Sequence, residues 1–195
     1  MKALLFSAML IVIGFDLSAE KLNQNQLIHK FNQTFNKTKT LRADFVESHS
    51  SGAKVDGKFY LKRKNKMRIN YNEPIRDFIV SDGRLVFYWD DKMKQQSHTT
   101  VGSTIVGFLM KENFLDQSQI KILSLNESKN SYDLVFTEPE FTGQGKIKLY
   151  FNKNTYELFE WQIEDFEGNW TAISLHNIER NIALTNSLFY FKKPR

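Results

Sequence analysis

Strict alternation of apolar and polar residues limits what this chain can become more than any other feature. In "GKFYLKRKNKMRINY", residues 57 to 71, Phe59, Leu61 and Arg63 share one parity, and Met67, Ile69 and Tyr71 keep it across a basic turn. A period of two means a strand with two different faces. The alternation begins at Leu41, where Leu41, Ala43 and Phe45 interleave with Arg42, Asp44 and Val46. "RDFIVSDGRLVFYWDD" is the clearest hairpin, its turn supplied by Ser81-Asp82-Gly83. "KMKQQSHTTV" extends as a further strand, and strands resume at "IKILSL", "YDLVF", "GKIKLYF", "YELFEWQIEDF", "NWTAISLHNIE" and "SLFYF". About six strands, an interruption and about six more, joined by hairpin-length turns, predict an antiparallel meander, and a sheet that wide must curl.

Two segments break the period. "NQNQLIHKFNQTFNKTKT" places Leu27, Phe31 and Phe35 four apart with Ile28 beside them, which is an amphipathic helix with a narrow aromatic stripe. "GSTIVGFLMKENFL" carries Ile105, Val106, Phe108, Leu109 and Met110 on a short helix capped by Ser103. A helix apolar nearly all round needs burial on several sides, and a lid over a hydrophobic groove provides it. The 17 phenylalanines, 7 tyrosines and 3 tryptophans exceed what a modest core needs, which favours a concave apolar face.

The chain opens with Met1-Lys2, an apolar run from Ala3 to Phe15 and then "DLSAEK", the layout of a secretory signal peptide cut near Ala19. Residues 1–19 are therefore expected to be a signal, and residues 20–195 one domain working outside the cytoplasm. Cysteine is absent, which removes disulfides, thiol catalysis and cysteine zinc sites. His29, His49, His98 and His176 are scattered, Asp90-Asp91 point to opposite faces of a strand end, and no nucleophile elbow or phosphate loop occurs. The reading is a non-enzyme without metal or other cofactor. The net charge of +5 suits anionic headgroups rather than nucleic acid for an exported chain. Lys54, Lys58, Lys62, Arg63, Lys64, Lys66 and Arg68 crowd one hairpin, and Arg63 is the member on the apolar parity. A guanidinium there must find acceptors; carbonyls at the end of a lid helix would serve and would make Arg63 a latch.

The chain resembles the outer-membrane lipoprotein carriers of the Gram-negative periplasm, the LolA family. The resemblance is carried by "DFVES", "GKFYLKR" with "INYNEP", "FIVSDGRLVFYWDD", "DFEGNWTAISL" and the closing "FYFKKP", in that order across the mature region. It implies a mainly β fold, a curved antiparallel incomplete barrel, half open and covered by α-helices. It also implies a monomeric periplasmic chaperone that accepts acylated lipoproteins from an inner-membrane ABC transporter and delivers them to an outer-membrane receptor. That receptor is itself a lipoprotein, so a cysteine-free chain is expected to be the diffusible partner. Carried over by position, Arg63 matches the arginine that holds the lid closed, and Met67 matches an aromatic of the transporter handover. Lys64 stands where the family has proline, and Met67 is softer than a ring. The expected acyl-binding cavity is lined by Phe59, Leu61, Met67, Ile69, Tyr71, Phe87 and Trp89, with Ile105, Val106, Phe108 and Leu109 as lid. The runner-up function is an envelope module on the same scaffold that senses lipid or lipoprotein rather than carrying it.

Overall fold

The computed structural model describes residues 22–101, 107, 109, 111, 113–138 and 145–194. It opens with helix α1 (Gln24–Lys37), started by a reciprocal cap in which Asn23 Oδ1 accepts from the Gln26 amide at 3.0 Å and Gln26 Oε1 accepts from the Asn23 amide at 2.8 Å. Leu27, Ile28 and Phe31 are its buried stripe, as the spacing predicts. Six strands follow: β1 (Thr40–His49), β2 (Lys54–Lys62), β3 (Lys66–Tyr71), β4 (Phe78–Asp82), β5 (Leu85–Asp90) and β6 (Gln95–Thr100). Five more come after residue 120: β7 (Lys121–Glu127), β8 (Ser131–Thr137), β9 (Lys146–Asn152), β10 (Leu158–Glu164) and β11 (Trp170–Arg180). The expected final strand at "SLFYF" is instead a 3-10 turn, Asn186–Phe189, followed by chain without regular structure.

All eleven strands form one antiparallel sheet in the order β6-β5-β4-β3-β2-β1-β11-β10-β9-β8-β7. It consists of two meanders joined at one seam, β1 against β11, from Leu41 opposite Arg180 to His49 opposite Thr171. The strands at the two ends, β6 and β7, are consecutive in the chain. Residues 101–120 link them, and within that link Gly107 and Leu109 are helical.

Alternation sorts the side chains onto two faces. Leu41, Ala43 and Phe45 on β1, Phe59 and Leu61 on β2, and Met67 and Ile69 on β3 all belong to one core, together with Phe31 of α1 and Phe151, Trp161 and Leu175 of the second meander. One close approach depends on glycine: Gly57 faces Phe45 across β1 and β2, and a Cβ there would lie 2.7 Å from the Phe45 ring and 2.0 Å from the Asn70 carbonyl oxygen.

The other face has a smaller core of its own. Phe78, Val80 and Trp89 are buried there, with Phe87 and Phe191 packed against them. Phe78 pairs with Trp89 and Val80 with Phe87 across β4 and β5, while Asn70 and Arg68 of β3 face Phe78 and Val80. That register sets Phe87 and Trp89 opposite to Met67 and Ile69. The grouping of Phe87 and Trp89 with Phe59 and Leu61 in one cavity is thereby corrected. Both strands of this hairpin are apolar on both sides, so alternation could not say which side was inner. The chain's end covers the outer one. The Lys62 ammonium donates to the Leu184 carbonyl and Asn186 Oδ1, both at 2.9 Å, and Arg68 donates to the Leu188 carbonyl at 3.3 Å. Part of the basic hairpin therefore straps down the C-terminal segment.

Candidate functional site

The face shared with α1 closes over a small apolar cavity. Leu41, Phe59 and Leu61 from the first meander and Leu158, Trp161 and Leu175 from the second form its floor. Phe59 and Trp161 meet with ring centroids 5.8 Å apart. Thr34, Phe35 and Thr38 of α1 and Leu109 of the linking segment lie over it, and Glu157 and Arg180 stand at its rim, ion-paired at 3.3 Å. The enclosed volume is about 30 Å³. That is room for one or two waters, far below the few hundred Å³ that bound organic ligands of ordinary size occupy. A ligand of that size does not fit this cavity in the conformation described. A larger cleft of about 930 Å³ between α1 and residues 113–117 is lined mainly by asparagine, glutamine, lysine and aspartate, and is open to solvent.

Arg63 sits where the covering elements converge. Its Nη2 donates to the Phe35 carbonyl at 3.0 Å, its Nε to the Thr38 carbonyl at 3.3 Å and its Nη1 to the Lys111 carbonyl at 3.2 Å. The first two acceptors are at the C-terminal end of α1, where the helix dipole favours a cation; the Phe35 carbonyl there also accepts from the Thr38 amide at 3.1 Å. The third belongs to the linking segment just past Leu109. The guanidinium also stacks on the Phe35 ring, 4.5 Å from its centroid. One side chain from the β2–β3 turn thus ties helix, link and sheet together, on the kind of acceptor that its parity called for.

The expected lining residues divide accordingly. Phe59, Leu61, Met67 and Ile69 are each at most 4% exposed and lie on the covered face, with Phe59 opposite Ile69 and Leu61 opposite Met67. Leu109 is buried beside the cavity, while Ile105, Val106 and Phe108 lie outside the described residues. Phe35, Leu158, Trp161 and Leu175 were not anticipated. A register shift between Leu158 and Glu160 interrupts alternation on β10, so its inner face cannot be counted from the sequence.

Tyr71 belongs to a polar group at the other end of the covered face. Its hydroxyl donates to Glu47 Oε2 at 2.7 Å, and His49 Nε2 lies 3.1 Å from Glu47 Oε1. His49 Nδ1 in turn is 3.2 Å from Thr171 Oγ1. Glu47 and His49 extend the parity of Leu41, Ala43 and Phe45, a continuation visible in the sequence once the strand's length is known. Burial, and next the nearby Glu47 carboxylate, push the Tyr71 hydroxyl well above the ordinary tyrosine value. Folded protein then holds this proton where the unfolded chain releases it. The contribution is fully present below about pH 10 and is lost as pH rises beyond that. Tyr88, pushed up to about 12 mainly by its hydrogen bond to Asp77, adds to the same slope. Denaturant midpoints measured from about pH 9 to about pH 11 should fall, and less steeply in Tyr71→Phe; an unchanged slope in that variant would rule out a buried neutral hydroxyl.

An open sheet wrapped about a helix-covered apolar cavity is the build of a carrier for hydrophobic cargo, and the comparisons with known proteins agree. Residues 36–192 match the family model described as outer membrane lipoprotein carrier protein LolA, and the chain belongs to this non-enzymatic carrier family. It is 29% identical over 195 residues to the outer-membrane lipoprotein carrier protein of Methylococcus capsulatus, covering 95% of this chain and 90% of that one. To the protein of the same description from Methylobacillus flagellatus it is 27% identical over 169 residues, 82% of each chain. The solved structure of a LolA superfamily protein from Nitrosomonas europaea shares the fold at a TM-score of 0.51 and 10% identity, covering 88% of this chain and 99% of that one.

Proposed function

We propose that residues 20–195, after removal of the signal at residues 1–19, act as a diffusible monomer in the periplasm. It takes acylated lipoproteins from an inner-membrane ABC transporter, shelters their acyl chains between α1 and the sheet, and yields them to an outer-membrane receptor. The observation that carries this reading is the shut apolar cavity with Arg63 bonded to carbonyls of both covering elements. At about 0.8 kcal/mol per buried methylene, one long acyl chain exposed to water costs on the order of 10 kcal/mol. Shelter must offset most of that and still be reversible. A cover held by a few polar contacts over a preformed apolar floor meets both needs, because opening exchanges hydrogen bonds with water rather than dismantling the sheet.

In this reading Arg63 is the latch, Phe59, Leu61, Ile69 and Tyr71 line the path of the chains, and Leu109 with Ile105, Val106 and Phe108 forms the lid. Met67 serves the handover of cargo from the transporter. A diazirine analogue of methionine, incorporated in the native host and photolysed in the cell, tests it. Met67 is 1% exposed beneath the cover and Met93 is 66% exposed on a turn, so one supplies the probe and the other the control. Acylated lipopeptide adducts at Met67 and not at Met93 are expected after digestion and mass spectrometry. Free phospholipid or fatty acid at Met67 with no lipoprotein would instead favour a lipid-sensing module.

A further inference from the structure

The end of β8 carries a charge where a strand end usually offers it to water. Glu138, one residue past Thr137, is 5% exposed. Its Oε1 lies 3.3 Å from the Lys111 ammonium, which is also 3.5 Å from Gln119 Oε1. Lys111 is the same residue whose carbonyl accepts from Arg63 at 3.2 Å. Its main chain is thus held from the β2–β3 turn of the first meander, and its side chain from the end of β8 in the second. Leu109, two residues earlier, lies over the cavity. Phe114 and Leu115, shortly after, are each 1% exposed, and the Leu115 amide donates to Asn32 Oδ1 of α1 at 3.1 Å. At Lys111 the link is therefore fastened to both halves of the sheet, and beside it to the helix. The two partners of the ion pair are unequal. The Lys111 side chain is 41% exposed and can pass into water at little cost. The Glu138 carboxylate cannot: drawing Lys111 away leaves a buried charge without its cation until water takes the ammonium's place.

We propose that Glu138 is a second catch on the cover, a positioning residue that acts through Lys111. This rests on the carrier reading, in which the cover opens to admit cargo, and deepens it. Arg63 grips the link from one meander and Glu138 from the other, at a single residue. Because carbonyl and ammonium belong to that one residue, the two holds are coupled. Loss of either lets Lys111 shift and weakens the other, and opening requires Lys111 to part from both.

Glu138→Gln, Lys111→Met and the double variant test it in the mature protein. Glutamine keeps the shape of Glu138 without its charge, and methionine at Lys111 leaves the main-chain carbonyl for Arg63. Hydrogen exchange of the Leu115 amide reports release of the link, and the amides of Phe45 and Leu175, paired across the β1–β11 seam, report global unfolding. Uptake of an environment-sensitive fluorescent fatty acid reports entry to the cavity. Each single variant should speed Leu115 exchange about tenfold with the seam amides unchanged, and the double variant should add little, since the two side chains act as a pair. Fatty-acid uptake should quicken in step. Lys111→Met changes a half-exposed side chain, so a Glu138→Gln protein that failed to fold would still leave a decisive measurement. Unchanged Leu115 exchange, equal acceleration at the seam, or full multiplication of the two effects in the double variant would overturn the catch while leaving the carrier reading intact. Faster Leu115 exchange in proteins that take up no fatty acid, wild type included, would overturn the carrier reading and leave only the fastening of the link.

Discussion

Phe31→Ala should cost about 3–5 kcal/mol and lower the melting temperature by on the order of 10 °C. Phe31 is fully buried and stacks on Phe151, with ring centroids 3.9 Å apart and planes 4° from parallel. Tyr132 and Tyr156 close around it at 5.7 and 6.3 Å. These rings lie on β8, on β9 and in the turn after β9, so a single helical side chain anchors α1 to the second meander. Truncation leaves a void the size of a ring that the neighbouring aromatics are too rigid to fill, and it forfeits their mutual packing. Chemical denaturation reports the total, and hydrogen exchange along residues 24–37 reports where it falls. A loss below about 1 kcal/mol would mean that the helix is not docked through this ring.

Arg63→Leu should act on a different quantity, the balance between shut and open cover. Three hydrogen bonds from a charged donor are lost together, and their combined worth, discounted because the acceptors can turn to water, is about 2–4 kcal/mol. The open population then rises by about thirtyfold to several hundredfold. Leucine fits the apolar parity, so the sheet and its far-ultraviolet circular dichroism should be preserved. Faster exchange of the amides around residues 35–38, and altered transfer of bound lipopeptide to acceptor vesicles, are the expected signs. Wild-type transfer and exchange rates in the variant would remove the latch from the mechanism.

Particular residues show why only part of this site could be read from the sequence. Phe59, Leu61, Met67 and Ile69 were legible because β2 and β3 alternate cleanly and one face is buried. Arg63 was legible for the same reason, as a charge on the wrong parity, although its acceptors are supplied by elements far away in the chain. Phe87 and Trp89 misled because their hairpin is apolar on both faces, and the burial of the outer one depends on Phe191, about a hundred residues later. Trp161 was missed because the irregularity near Leu158 resets the count on β10. Glu47 continues the buried parity of β1 beyond Phe45, but in the sequence a charged residue at that position reads as the end of the apolar strand. Local periodicity specified the strands. What lies over each face is a tertiary fact.

The two ends of the sheet, β6 and β7, are not neighbours, and among the described residues the strands of the two meanders pair only along the seam of β1 with β11. A closed barrel would have a fixed girth, set by its strand number and stagger. Here no pairing of β6 with β7 fixes the girth, and in the carrier reading the two wings adjust by twisting about the central ladder. In the proposed function, cargo of different bulk would then be fitted by a change of aperture instead of a change of sequence. The work of that adjustment falls on side-chain contacts between cover and wings, where single residues such as Arg63 can set its scale.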